Sequence, residues 1–159
     1  MTRSGARPHA TLACRSCRSA CRALDSEGAR RYGGRWNSPG TPLIYTASTA
    51  SLAALELLVH VDPADAPGDL LLMTIEIPDQ VRTEVLDESR LPARWNQSPA
   101  PPDCRALGDA WLAAGQSCVL SVPAAPMPEE RDYLLNPAHA DFAKVTVMSE
   151  RRFRFDPRL

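Results

Sequence analysis

The sequence is poor in long apolar runs, in lysine and in net charge, and each shortage excludes a class of protein. No apolar run is long enough to span a bilayer, and residues 1–10 lack the apolar stretch of a signal peptide. The formal net charge is −1, so the surface as a whole offers no electrostatic footprint for DNA or RNA. Lys144 is the one lysine among 18 basic residues, a bias typical of a GC-rich genome. These features predict a soluble, cytoplasmic protein.

The sequence also lacks the paired cysteine sets of a typical zinc site. Its five cysteines include Cys14, Cys17 and Cys21, with His9 nearby. Structural zinc sites usually contain two paired ligand sets, and here a second pair is missing. Without a secretory context, reduced thiols are the default. We therefore interpret these cysteines as free thiols and expect no metal site.

The sequence does contain an irregular alternation of short strands and helices, in a length that fits one domain. The pattern predicts strands at 43–46, 70–77, 118–122, 144–148 and 153–155. It predicts helices at 52–60 and 104–114. Ser48 or Thr49 can cap the first helix, and Asp103 can cap the second. Strands outnumber helices, so we predict an α/β or α+β fold with a mixed sheet.

The most informative segment is the run RYGGRWNSPG at 31–40, which is followed by Tyr45. Glycines let the backbone approach a ligand closely, and Arg35 among them can bind a phosphate or carboxylate bidentately. The alternative for Arg35 is a solvated residue on a glycine turn. Tyr45 can stack on a planar heterocycle such as nicotinamide, or it can be a core tyrosine with its hydroxyl hydrogen-bonded. Tryptophan side chains usually lie in the core. Because Trp36 adjoins Arg35, it is a further candidate for contact with the ligand.

Glu56 borders the inner stripe of the first predicted helix, which Leu52, Leu55 and Val59 form at helical spacing. A carboxylate in that position loses hydration unless it is paired or used. The structural alternatives are a salt bridge to an internal arginine or a water-facing position beside His60. The functional interpretation is a carboxylate that hydrogen-bonds a ribose hydroxyl and stabilises positive charge at the anomeric carbon.

Arg35, Tyr45 and Glu56 together predict cleavage of an N-glycosidic bond. That chemistry passes through an oxocarbenium-like state, which a nearby carboxylate stabilises. Arg35 would hold the phosphates of the substrate, and Tyr45 would hold the leaving base.

Four blocks of the sequence resemble the RES domain family: GARRYGGRWNSPGTPLIYTAS, LAALELLVH, LLNPAHADF and FRFDPRL. They occur in the family's order and at its spacing, over 24–159. On this basis the chain divides into an atypical, partly disordered N-terminal segment (1–22) and a RES domain (23–159). The resemblance implies an ADP-ribosyltransferase-like fold, a split mixed β-sheet with flanking helices around an NAD cleft.

The resemblance also implies the toxin half of a toxin–antitoxin pair, with an Xre-type helix-turn-helix antitoxin as partner. The implied activities are NAD degradation, by hydrolysis or by phosphorolysis with phosphate, and ADP-ribosylation of a protein target. NAD is then a substrate, and no metal is implied. The family's Arg, Tyr and Glu correspond to Arg35, Tyr45 and Glu56. Its opening strand carries an early arginine of the NAD site, which corresponds to Arg15 or Arg18, with Arg15 preferred.

Two positions depart from the family pattern. The family serine follows a Val-Pro pair, but here that pair is followed by Ala124. Ser121 is a poor substitute, because it would point to the opposite face of the strand. Asp132 stands where the family usually has asparagine. These departures keep a third interpretation open, a degenerate, non-catalytic RES protein that binds an antitoxin.

Overall fold

The computed structural model describes residues 7–14, 24–61, 70–156 and 158. The strands in these ranges are β1 (Arg7–Cys14), β2 (Ile44–Ala47), β3 (Leu70–Ile77), β4 (Thr83–Val85), β5 (Val119–Pro123), β6 (Arg131–Leu135) and β7 (Thr146–Arg152). The helices are α1 (Glu27–Tyr32), α2 (Ala50–Leu58) and α3 (Pro102–Ala114), with 3-10 turns at Glu88–Arg90 and Ala140–Lys144. None of the described helices is long and apolar enough to cross a bilayer.

The strands form a mixed sheet in the order β4-β5-β6-β2-β1-β3-β7. Strands β4 and β5 are parallel, and the other neighbouring strands are antiparallel. Strand β1 pairs with β3 along its whole length. Within the described ranges, β1 and β2 share a single register pair, Ala10 with Ala47. The sheet therefore consists of two parts that meet at this pair.

Strand alternation places the candidate residues on one face of the sheet, here called the first face. Ala47, Asp132 and Val122 are register partners across β2, β6 and β5, and they form one row of this face. Tyr45 lies in the adjacent row, because it is the register partner of Leu134 on β6. Helix α3 packs on this face through buried residues such as Cys104 and Trp111, and α2 packs on it through Leu52 and Ala53.

Helix α2 begins as the sequence predicts. The Thr49 hydroxyl accepts a hydrogen bond from the Leu52 backbone N–H at 3.1 Å, so Thr49 is the capping residue. The predicted inner stripe is wrong at its end, because Val59 is 56% exposed. The helix ends at Leu58, and the buried residues of α2 are Leu52 and Ala53.

Other boundaries follow local chemistry that the apolar pattern does not reveal. The predicted strand 70–77 is confirmed as β3, but the predicted strand 153–155 is wrong, because the last strand spans 146–152. Helix α3 starts at Pro102, so Asp103 lies in its first turn and is not its cap. Proline suits a first helical turn because its fixed φ is already helical.

Four elements were not predicted from the sequence. These are β1, α1, β4 and β6. Strand β6 contains the buried acid Asp132 at a core position, which interrupts the apolar alternation expected of a strand. Strand β1 lies within the N-terminal segment 1–22, whose boundary with the rest of the chain stays a prediction.

Candidate functional site

Helix α3 holds the segment that carries Arg35, the arginine loop (residues 33–40), by hydrogen bonds at both ends. The Arg105 guanidinium Nε donates to the Gly34 carbonyl at 3.0 Å. The Ser38 backbone N–H donates to Asp109 Oδ1, also at 3.0 Å. Arg105 and Asp109 are four residues apart and therefore lie on the same side of α3, so this side of the helix binds the loop.

Trp36 fixes the arginine loop from the inside of the protein. Its side chain is 2% exposed and belongs to the core cluster with Trp111, and its ring centroid lies 6.3 Å from that of Trp95. Gly108 of α3 allows this approach, because a Cβ at that position would overlap the Trp36 carbonyl oxygen. Trp36 is therefore a packing residue, and its ring has no exposed face to offer a ligand.

The Tyr45 hydroxyl is bound within the arginine loop. It accepts a hydrogen bond from the Trp36 backbone N–H at 3.0 Å and donates to Asn37 Oδ1 at 2.8 Å. The Asn37 amide in turn donates to the carbonyls of Ala29 and Thr41, both at 2.9 Å. Burial raises the pKa of Tyr45 well above its ordinary value. The hydroxyl is thus a structural group, and any contact with a ligand must come from the ring.

Arg35 is half-buried and held by one of its terminal nitrogens. Its Nη1 donates to the carbonyls of Trp95 and Gln97, the latter at 3.0 Å. Among the described residues, Nε and Nη2 have no hydrogen-bond partner. The guanidinium is therefore oriented by one nitrogen and presents two further donors, the arrangement that binds a phosphate or carboxylate bidentately.

Glu56 lies near Asp132, close enough for its charge and side-chain hydrogen bonding to raise the pKa of Asp132. Asp132 is 8% exposed on the first face of the sheet, whereas Glu56 is half-buried on α2. Burial, reinforced by the charge and hydrogen bond of Glu56, raises the pKa of Asp132 to about 9. Glu56 and Asp132 are here called the carboxyl pair, and the raised pKa of Asp132 favours the protonated form of that residue at neutral pH.

Neither structural alternative for Glu56 describes what the structure shows. Among the described residues, no arginine or lysine forms an ion pair with Glu56. His60 is exposed, while Glu56 turns toward the sheet. Asp132, which the sequence marked only as a departure from a family pattern, is the functional candidate that motif reasoning missed.

Glu130, the residue before β6, connects the beginning of this strand to the beginning of α2 by hydrogen bonds. Its Oε2 accepts hydrogen bonds from the hydroxyls of Ser48 at 3.3 Å and Thr49 at 3.1 Å. The Ser48 backbone N–H also donates to the Arg131 carbonyl at 2.9 Å. These bonds hold together the two elements that carry the carboxyl pair.

Ala124 follows β5 and is fully buried against apolar side chains. Its cluster contains Ala47, Leu52, Ala53 and Leu72. The predicted orientation of Ser121 is confirmed: its side chain lies on the opposite face of the sheet, where its Oγ accepts a hydrogen bond from Arg131 Nε at 3.1 Å. Ser121 therefore does not replace a hydroxyl at position 124.

Only some of the remaining predicted residues lie within the described part of the chain. Arg15 and Arg18 lie outside the described residues, as do Cys17 and Cys21. Within the described part of the chain, no three His, Cys, Asp or Glu side chains come together as metal ligands. Cys118 is a buried free thiol whose pKa is raised to about 11 by burial.

The fold and this site define a class of protein. It is a mixed-sheet α+β protein in which Tyr45 and Asp132 share one sheet face, with Glu56 and an oriented Arg35 near Asp132. Residues 11–156 match the RES domain family, and the chain belongs to that family.

Named relatives and a solved structure agree with this membership. The Prs ADP-ribosylating toxin of Sphingobium sp. (strain YBL2) is 36% identical over 138 residues, which cover 86% of both chains. A Toxin Res of Photorhabdus laumondii is 39% identical over 139 residues, which cover 86% of this chain and 88% of the relative. A Toxin Res of Yersinia enterocolitica is 40% identical over 133 residues, 83% of this chain and 87% of the relative.

The fold is similar to a chain in the crystal structure of the M. tuberculosis MbcT–MbcA toxin–antitoxin complex. The TM-score is 0.74 at 21% identity, with 95% of this chain and 86% of that chain covered. The predicted fold class, an ADP-ribosyltransferase-like split mixed sheet with flanking helices, is confirmed, as is the RES family.

Proposed function

We propose that this chain is a toxin that consumes NAD by cleaving the nicotinamide N-glycosidic bond. The supporting observation is that Arg35, whose Nε and Nη2 have no hydrogen-bond partner among the described residues, lies near the carboxyl pair. Arg35 is close enough for its positive charge to influence the pKa of Asp132. An anionic substrate that develops positive charge during reaction fits these two groups.

Arg35 would bind the pyrophosphate or a ribose of NAD. Its Nη1 is held by the carbonyls of Trp95 and Gln97, so Nε and Nη2 can meet two phosphate oxygens without losing that anchor. The Tyr45 ring would stack on the nicotinamide while its hydroxyl stays bound to the arginine loop. Trp36 is not included as a contact, because its ring is buried.

Glu56 would accept a hydrogen bond from the ribose and stabilise the cation that forms at its anomeric carbon. In this step the carbon–nitrogen bond breaks, and nicotinamide leaves as a neutral base with the electron pair of that bond. Water or phosphate then bonds to the anomeric carbon, and with water a proton is released to solvent. The negative charge of the carboxyl pair favours the cationic state over the bound substrate.

Glu56→Gln tests this function, because it keeps the shape of the side chain and removes its charge. We expect NAD consumption by the purified chain to fall at least ~100-fold, as for other charge-stabilising groups. Glu150→Gln, an exposed change on β7, is the matched control and should leave the rate unchanged. Running both with and without phosphate identifies the nucleophile. Full NAD turnover by Glu56→Gln would reject the proposed role of Glu56.

A protein ADP-ribosyltransferase on the same site is the second candidate. It is favoured by the relative whose name states ADP-ribosylation. The bond broken is the same, and a protein nucleophile replaces water. NAD labelled in its adenine part distinguishes the two: label bound to protein supports the transferase, and label in free ADP-ribose or its phosphorylated form supports NAD degradation.

A non-catalytic RES protein is the third candidate, favoured by the buried Ala124. In that case the chain would retain antitoxin binding without NAD turnover. Ala124→Ser tests it: turnover present only in the serine variant supports a degenerate site. Turnover in the unaltered chain rejects it.

The proposed partner is an Xre-type helix-turn-helix antitoxin, and the proposed location is the cytoplasm. Membership of the RES family and the fold shared with a chain of a toxin–antitoxin complex support an antitoxin. Co-expression with a helix-turn-helix protein encoded beside this gene should yield a stable complex in which NAD consumption is suppressed. Co-purification failing in both tag orientations would reject this partner.

A further inference from the structure

Asp132 has properties that the proposed reaction does not yet use. It is an acid on β6, among rows of apolar side chains on the first face, and is 8% exposed. An asparagine in the same place could donate a hydrogen bond to Glu56 through its amide group, and so can an aspartic acid that carries its proton. The two side chains are nearly equal in shape, and the acid alone can lose the donor by ionising.

The proton of the carboxyl pair belongs to Asp132 for a structural reason. Asp132 is the more deeply buried of the two acids, and the deeper group loses more hydration when it becomes charged. Three charged groups face it: Glu56 from α2, Glu130 from the start of β6, and Arg35 from the arginine loop. The two glutamates oppose its ionisation, and Arg35 favours it.

We propose that Asp132 is a positioning residue, which at neutral pH stays protonated and holds the Glu56 carboxylate in place by donating a hydrogen bond to it. The inference rests on the proposed function, because it assigns Asp132 to the site in which Glu56 acts. Asp132 does not meet the substrate in this scheme. It fixes the carboxylate and limits the site to a single negative charge.

The arrangement predicts an alkaline limit on activity that an asparagine would not impose. The pKa of Asp132 is raised to about 9, so above that pH the donor is lost and two carboxylates face each other. Repulsion would then displace Glu56 from the position in which it stabilises the cation. For one ionisation of this kind, turnover at pH 10 should be about tenfold below its plateau.

Asp132→Asn is the decisive variant, because it keeps a donor to Glu56 that cannot ionise. We expect its kcat at pH 7 to exceed that of Asp132→Ala, which lacks the donor, and its alkaline decline near pH 9 to vanish. Asp132→Ala should lower kcat at every pH with a smaller change in KM. An unchanged alkaline decline in Asp132→Asn would overturn the proposal, since the ionising group would then lie elsewhere.

Glu130→Gln is the matched control. It removes a neighbouring negative charge and leaves the carboxyl pair intact, and its side-chain oxygen can still accept from Ser48 and Thr49. We expect it to keep the alkaline decline, moved to a lower pH, because Glu130 is one of the groups that raises the pKa of Asp132.

A second measurement separates this inference from the proposed function. An infrared difference spectrum between pH 7 and pH 10 should show the loss of one carboxylic acid carbonyl band, and Asp132→Asn should lack that change. The band in a chain that consumes no NAD would reject the proposed function and leave the proton assignment standing. NAD consumption without the band would overturn the inference and leave the function standing.

Discussion

The arginine loop and the carboxyl pair lie beside the same sheet face, but the hydrogen-bond partners of their polar groups differ in kind. In the arginine loop, the hydroxyl of Tyr45 both donates and accepts, and the Asn37 amide bonds two carbonyls. In the carboxyl pair, two acids lie near one another, and burial and the charge of Glu56 raise the pKa of Asp132.

The arginine loop fixes the positions of its side chains, whereas the carboxyl pair places two acidic groups close together. The hydrogen bonds of the loop are complete, so they stabilise its shape and orient Arg35. Burying two acids together disfavours folding at pH values where both would ionise, and such arrangements concentrate at functional sites. The loop therefore fixes a position, and in the proposed function the carboxyl pair supplies the charge.

The largest expected effect comes from a substitution in α3 that disrupts the packing of this helix against the arginine loop. Gly108→Ala would place a methyl group onto the Trp36 carbonyl oxygen, and a backbone carbonyl held in the core cannot move aside easily. We expect the free energy of unfolding to fall by about 3 kcal/mol or more in urea titrations. Gly28→Ala is the control, because nothing lies within 4 Å of its Cβ in α1, and it should not destabilise. Equal stability of the two variants would contradict the packing described for α3.

The second largest effect is expected from a rise in pH, which ionises Asp132 in the carboxyl pair without any substitution. The pKa of Asp132 is 3.8 in its ordinary state and about 9 when folded, so between these values the folded chain keeps a proton that the unfolded chain has lost. The free energy of unfolding should therefore fall as pH rises toward 9 and level off above it, by about 2 kcal/mol from pH 7 to 9. Asp132→Asn should remove that decline. The same slope in both chains would show that Asp132 is not its source.

A smaller effect tests whether Tyr45 acts through its hydroxyl or its ring. Tyr45→Phe removes the hydroxyl that bonds the Trp36 N–H and Asn37 Oδ1, which should lower the free energy of unfolding by about 1–2 kcal/mol. The KM for NAD should change little, because the ring remains. Tyr32→Phe, at a 75% exposed position, should change stability by less than about 0.5 kcal/mol. A large rise in KM with stability unchanged would assign the hydroxyl to the substrate instead.

The smallest effect loosens α2, which carries Glu56. Thr49→Ala removes the cap on the Leu52 N–H and one hydrogen bond to Glu130, at a cost of about 1 kcal/mol. Ser51→Ala, an exposed change inside the same helix, is the control and should be close to neutral. Thermal unfolding of both variants measures the difference. A loss in Ser51→Ala as large as that in Thr49→Ala would show that capping is not its cause.

The sequence predicts well what depends on near neighbours in the chain. Thr49 caps α2 through a residue three positions away, and β3 is an eight-residue run, apolar or β-branched except at Glu76, that Pro78 ends. The end of α2 was predicted less well, since Val59 has the right spacing but lies beyond the last helical residue. Strand β6 was not predicted at all, because a buried acid disguises its pattern.

The site divides in the same way. By itself the sequence determined the family and the mixed-sheet α+β character, and it indicated Arg35, Tyr45 and Glu56 as candidates, because motif and spacing are local properties of the chain. Only the tertiary structure decided that the Tyr45 hydroxyl belongs to the loop and that Trp36 is core. It also brought Asp132 near Glu56, a residue 76 positions away in the chain, and buried Asp132 so that its pKa is raised. Burial and the approach of like charges depend on strand register and helix packing, so no local pattern records them.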